Sequence, residues 1–145
     1  VLDGASLLVA CKNAGMEINL DESLNKLLSE GLRMPGAMCG LWGVCGAITS
    51  IGASLAIIDS TGPLSDDGNW GEHMSFTAGA VKELSEINGP RCCKRDSYLA
   101  VIEAVKFVSE ELGINMKLNP IICTRSHLNN QCRQEKCPFH KNYTE

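Results

Sequence analysis

Aromatic residues make up only 5 % of the 145-residue chain, and the net charge is −4. With few rings to stack on bases and no basic surplus to neutralise phosphates, a nucleic-acid partner is not expected. Neither standard glycine-rich phosphate loop is present, and there is no Gly-x-Ser-x-Gly element, which excludes the usual nucleotide cradle and the hydrolase nucleophile elbow. Asp66 and Asp67 lie in a glycine loop without calcium-loop spacing. Strand-like alternation is missing, apart from the short apolar run Pro120–Cys123. A signal-peptide pattern is missing as well; the chain opens on Val1 rather than Met, as a processed or excised piece would. A cytoplasmic location is the expectation.

Uncharged residues run for 25 positions, from Met34 to Ile58. That is long enough to span a bilayer. Five glycines, Pro35, Thr49, Ser50 and Ser54 interrupt it, and its strongly helical part, Val44–Ile58, is only 15 residues long. A buried helix is expected there, and no membrane partner. Hydrophobic residues reach 44 %, enough for one core in one domain.

Helical spacing of apolar residues is the dominant pattern. A first helix is expected over Leu2–Ala14, stopped by Gly15. A second is capped by Asn19 or Asp21 and ended by Gly31 and Pro35. Gly36–Gly46 reads as a glycine-rich turn. Val44–Ile58 is apolar nearly all round and should be the central helix, with Gly46, Ser50 and Ser54 forming a small-residue face for a close neighbour. After the loop Ser60–Trp70, further helices are expected over Glu72–Ile87 and from Cys92 or Asp96 to Leu112, capped by Gly113. The fold expected is an all-α, single-domain bundle of about five helices around this Gly/Ala-rich helix. Residues 1–119 would form the helical domain, and residues 120–145 an irregular Cys/His-rich tail packed on it. Trp42 and Trp70 are expected in the core or at an interface, and His73 in a surface or capping role rather than as a ligand.

Eight cysteines stand out, too few for a short disulfide scaffold at roughly 8–10 % but many for a reducing compartment, where close cysteines read as metal ligands or redox couples. Cys39 and Cys45 flank the start of the central helix. Cys92 and Cys93 are framed by Arg91, Lys94 and Arg95 just before another helix. Helix starts and nearby cations both favour a thiolate, so these four cysteines are the candidate reactive thiols and the three cations their stabilisers. The bland alternative is a half-buried cysteine beside a solvated basic cap.

Gly43-x-Cys45-Gly46-Ala47, followed by the apolar helix, resembles the signature of the redox-active four-cysteine family, named for its Cys, Gly-Cys-Ala-x-x-Gly, Cys and Cys elements. The likeness runs from about Leu7 to Leu112. Cys45 matches the signature cysteine, and Cys92 or Cys93 a later one. Val44 and Gly46 stand where the signature has its first glycine and its alanine, Thr49 stands for its second glycine, and Cys11 does not align with its first cysteine. The resemblance implies a small helical protein with a thiol-redox role, an uncharacterised relative with an added cysteine-rich tail.

That tail holds Cys123-x8-Cys132-x4-Cys137-Pro138, with His127 and His140 nearby. Four Cys or His ligands can bind zinc tetrahedrally. Three cysteines with a proline after the last also suit an iron–sulfur cluster whose fourth ligand comes from elsewhere in the chain. Cys123, Cys132, Cys137 and His140 are the candidate metal ligands. If the tail folds back, its cysteines can meet Cys39, Cys45, Cys92 or Cys93 in one larger site. The leading expectation is a cysteine-based redox or electron-transfer protein with a partner redox protein, and homo-oligomers are compatible with it. The alternative is a zinc- or iron–sulfur-binding accessory module of a larger enzyme or complex.

Overall fold

The first helix, α1 (Leu2–Asn13), buries Gly4, Leu7, Leu8 and Cys11 along one side. The computed structural model describes residues 1–144. Asp3 sits in the first turn of α1 and Lys12 in the last, each charge opposing the partial charge of its helix end. Gly15, at φ 100°, then turns the chain. In α2 (Leu20–Gly31), the Asn19 side chain accepts from the Glu22 amide and donates to the Glu22 carboxylate, a reciprocal cap. Only Leu27 of this helix is buried.

The Gly36–Gly46 region is not all turn. It contains one turn of helix, α3 (Met38–Leu41), entered through Ala37 in the left-handed conformation. The central helix α4 (Gly46–Ile58) begins later than the sequence implied, because Cys45 is extended and serves as its N-cap. α4 packs against α1, α2, α5 (Asn69–Ile87) and α6 (Cys93–Glu111). Ile48, Ile51 and Leu55 are fully enclosed, each contributing on the order of 1.5–3 kcal/mol by burial. α5 starts at Asn69, earlier than expected. The bundle is all-α, with six α-helices among the described residues.

The small-residue face of α4 meets α1. Gly4 donates its amide to Ser50 Oγ at 3.0 Å, and Ser54 Oγ donates to the Ser50 carbonyl at 3.1 Å. A Cβ at Gly4 would collide with the Ser50 carbonyl and Ser54 Oγ. Between α5 and α6, Phe76 and Phe107 meet edge to face at 5.4 Å, a favourable ring geometry.

Three expectations need correction. His73 is buried within α5, neither at the surface nor capping the helix: its Nε2 lies 2.8 Å from Asp59 Oδ2, and its Nδ1 has no partner among the described residues. Asp59 follows directly after α4, so only the α4–α5 packing brings the two together. Trp42 (70 % exposed) and Trp70 (47 % exposed) lie outside the core, since both sit where a helix begins or ends at the surface; of the two places expected for them, the core is ruled out and an interface is not. The apolar run Pro120–Cys123 makes no strand; it leaves a single parallel bridge from Cys123 to His140. No helix among the described residues is long and apolar enough to cross a membrane, because the uncharged run is broken between Trp42 and Cys45.

Beyond α6 the described residues form only two short 3-10 turns, Ser126–Leu128 and Gln134–Lys136. It returns to the start of α6. Cys137 and Phe139 pack with Leu99, Tyr98 and Ile102 of that helix and with Ile121 and Cys123 of the tail. Tyr98 and Phe139 meet edge to face at 5.3 Å.

Candidate functional site

Two clefts meet at the N-terminus of α6, and seven of the eight cysteines line them. Cys11 is the exception. It is sealed between helices, and burial pushes its thiol from 9.0 up to about 11. All eight cysteines are free thiols.

The smaller cleft, about 560 Å³, is walled by the start of α6 and by the tail. Cys92 enters from α6, where it is the N-cap. Cys123, Cys132 and Cys137 enter from the tail. Local chain geometry sets each tail sulfur. The Cys123 amide donates to the Phe139 carbonyl at 2.7 Å, which lays the two ends of the tail side by side. The His140 amide donates to the Cys137 carbonyl at 2.9 Å, closing a turn around Pro138. The 3-10 turn at Gln134–Lys136 aims the Gln134 amide at Cys132 Sγ, 3.4 Å away. Asn129 Nδ2 donates to Cys92 Sγ at 3.7 Å. Donors to sulfur of this kind stabilise thiolate charge.

The electrostatics tie these sulfurs together. Burial pushes the Cys137 thiol up; the Phe139 amide and the Arg95 guanidinium pull it down, while Cys132 and Cys92 push it up. Burial also raises the Tyr98 phenol, and Cys123 and Cys92 add to that effect. Cys137 therefore feels the charge of Cys132 and Cys92, and Tyr98 that of Cys123 and Cys92, across one cleft. Arg91, Lys94 and Arg125 line it as well, and none of the three is in an ion pair among the described residues. Arg95 is buried and donates from Nε to Asp96 Oδ1 at 3.0 Å.

His140 borders the smaller cleft, its Nδ1 accepting from the Asn142 amide at 3.3 Å. His127 is exposed and does not line it. Among the described residues, no three His, Cys, Asp or Glu side chains gather as closely as a single ion needs. Cys92, Cys123, Cys132 and Cys137 line one cleft without gathering that closely.

The larger cleft, about 1030 Å³, lies on the other side of the α6 start. Cys39, Cys45 and Cys93 line it, with Asp96 and Arg91. Cys45 sits at the N-terminus of α4, facing the amides of Ala47 and Ile48 too loosely for a cap hydrogen bond. Burial outweighs those amides and pushes its thiol up, with smaller upward contributions from Asp96 and Cys39. The helix start therefore does not leave Cys45 as a thiolate. Asp96 is buried, which raises its carboxyl against the downward pull of Arg95 and Arg91.

The four reactive-thiol candidates thus divide. Cys39, Cys45 and Cys93 face the larger cleft; Cys92 joins the tail cysteines, and Cys93 borders both. Arg91 also borders both clefts, Lys94 borders only the smaller one, and Arg95 reaches Asp96 and the neighbourhood of Cys137. Sequence reasoning missed Asp96, Asn129 and Gln134. No motif marks them.

No curated protein and no solved structure is similar enough to match. One family profile runs through both the helices and the tail, over residues 1–140. The chain belongs to DUF5714, a family of unknown function.

Proposed function

We propose that the chain is a cysteine-based electron-transfer protein that holds an iron–sulfur cluster on Cys92, Cys123, Cys132 and Cys137. One observation carries the reading: thiols from two distant parts of the chain, Cys92 and Cys93 at the start of α6 and Cys123, Cys132 and Cys137 in the tail, line a single cleft of about 560 Å³, and of the five only Cys93 is shared with the larger cleft. A lone zinc ion, with Zn–S distances of about 2.3 Å, draws its ligands closely together. A cluster spaces its thiolates further apart, because bridging sulfides separate its irons. The fourth ligand comes from α6, as a Cys…Cys…Cys-Pro tail with only three cysteines requires.

The surroundings support the same chemistry. Four thiolates around a cluster carry net negative charge, and Arg91, Lys94 and Arg125 stand free to balance it. The donors to Cys92 and Cys132 Sγ are of the kind that tune a cluster's potential. Tyr98 and Phe139 wall off part of the cleft. The tail has almost no regular structure to order it, and metal ligation is a strong source of such order. The resemblance to the redox-active four-cysteine family agrees with a redox role. In this reading the protein works in a reducing compartment, the cytoplasm, and exchanges single electrons with a partner redox protein.

Anaerobic purification with iron, acid-labile sulfide and zinc analysis, alongside an absorption spectrum, tests the proposal. The expected product is brown and loses its colour on Cys→Ser change at 92, 123, 132 or 137, but keeps it in Cys39→Ser. A colourless chain with one zinc, or one with neither metal, overturns the proposal.

A further inference from the structure

The larger cleft contains thiols that a cluster in the smaller one leaves unused. Cys39 is exposed on α3, whereas Cys45 is buried at the start of α4. Both line the cleft, and the charge of Cys39 is felt at Cys45. Between them the chain turns through Gly43, at φ 67°. No atom lies within 4 Å of the place a Cβ would take at Gly40 or Gly43, so this connection is uncrowded. One accessible sulfur and one shielded sulfur on the same cleft are an asymmetric pair. Disulfide exchange uses that asymmetry: the accessible sulfur attacks first and the shielded one resolves.

We propose that Cys39 and Cys45 form a dithiol couple that reduces low-molecular-weight disulfides bound in the larger cleft. The Cys39 thiolate attacks one sulfur of the substrate. The substrate S–S bond breaks, and its electron pair leaves on the first departing thiolate, which takes a proton from water. Cys45 then gives its proton to water in the cleft and attacks Cys39 Sγ. The mixed disulfide breaks, and the second thiolate leaves and is protonated. Two thiols of the chain become one disulfide, and one substrate disulfide becomes two thiols. The volume of about 1030 Å³ lies just above the ~300–1,000 Å³ range of small-molecule sites, so a small disulfide has ample room. Leu27, Met34, Met38 and Ile57 supply apolar wall for the body of such a substrate.

The inference does not rest on the cluster, and the two fail separately. The test incubates the full chain, purified anaerobically, with bis(2-hydroxyethyl) disulfide, then alkylates free thiols and digests with trypsin. The peptide from Met34 to Lys82 contains Cys39 and Cys45 and no other cysteine. In the wild type this peptide is expected to resist alkylation and to be two hydrogens lighter. Cys45→Ser should stop at a single mercaptoethanol adduct on Cys39. Cys39→Ser, at an exposed position, should slow reaction within this peptide by about tenfold or more, because the remaining thiol is shielded. A persistent adduct on wild-type Cys39, a Cys39–Cys93 cross-link, or an unreacted peptide overturns the proposal. The absorption spectrum of the same samples reads the cluster site independently.

Discussion

Replacing Gly4 with alanine pits two effects of opposite sign against each other. Helix propensity favours alanine over glycine by up to about 1 kcal/mol. Packing opposes it, since the new Cβ would run into the Ser50 carbonyl and Ser54 Oγ and come within 2.7 Å of Ser50 Oγ. These atoms belong to the fully packed face of α4 and cannot swing away like the tip of a long side chain. Overpacking of this kind costs ~1–3 kcal/mol. Separating the helices also stretches the bond from the Gly4 amide to Ser50 Oγ, and an unpaired buried donor costs about 1–3 kcal/mol. The net expectation is a loss of about 2–4 kcal/mol. At ~2–4 °C per kcal/mol for a domain of this size, that lowers Tm by about 5–15 °C. Gly79→Ala is the internal control. Gly79 is exposed within α5, with nothing near its Cβ position, so only the propensity term of up to about 1 kcal/mol in favour of the mutant remains. Urea unfolding followed by circular dichroism measures both variants. If Gly4→Ala is as stable as the wild type or more so, the close α1–α4 crossing is not real.

Cys11 makes stability fall at high pH. The folded chain keeps this thiol protonated up to about 11, whereas the unfolded chain releases the proton near the usual 9.0. The folded state therefore binds the extra proton, and its advantage is complete below pH 9 and lost as pH rises towards 11. The loss is on the order of 2–3 kcal/mol, and Cys11→Ala should remove that part of the slope in unfolding titrations. Asp59→Ala strands His73 Nε2 in a buried position and should cost about 1–3 kcal/mol; an unchanged Tm would contradict the pairing. Asn129→Ala removes the side-chain donor to Cys92 Sγ. The proposed cluster should still assemble in this variant, but with a lower midpoint potential in a dye-mediated titration, since the lost N–H would no longer stabilise its reduced form; an unmoved potential would separate Asn129 from the site.

The helices were legible because they depend on local signals. Leu7, Leu8 and Cys11 recur at helical spacing, Asn19 caps, and Gly15, Gly31 and Gly113 stop helices. The centrality of α4 followed from its apolar circumference, and its small-residue face did receive a neighbour, Gly4. Features that depend on two distant segments meeting were not legible. His73 has no sequence neighbour that explains its burial; Asp59 reaches it only because α4 and α5 pack together. The tail was visible as a cluster of cysteines, but its return to Cys92 depends on Leu99, Cys137 and Phe139 packing together. The net effect at Cys45 was hidden as well. A sequence reveals a helix start, whereas the burial that outweighs it belongs to the tertiary structure.

Cys92 and Cys93 are consecutive, yet only Cys93 borders the larger cleft. Successive residues on a helix turn through about 100°, so the phase of α6 decides which sulfur serves which compartment. That phase is locked by Leu99, Ala100, Ala104 and Val108 on the buried stripe. One residue inserted between Cys93 and Asp96 would swing both sulfurs round relative to that stripe and carry Cys92 away from Cys123, Cys132 and Cys137. The segment is thus far more sensitive to a change in length than to many changes in composition.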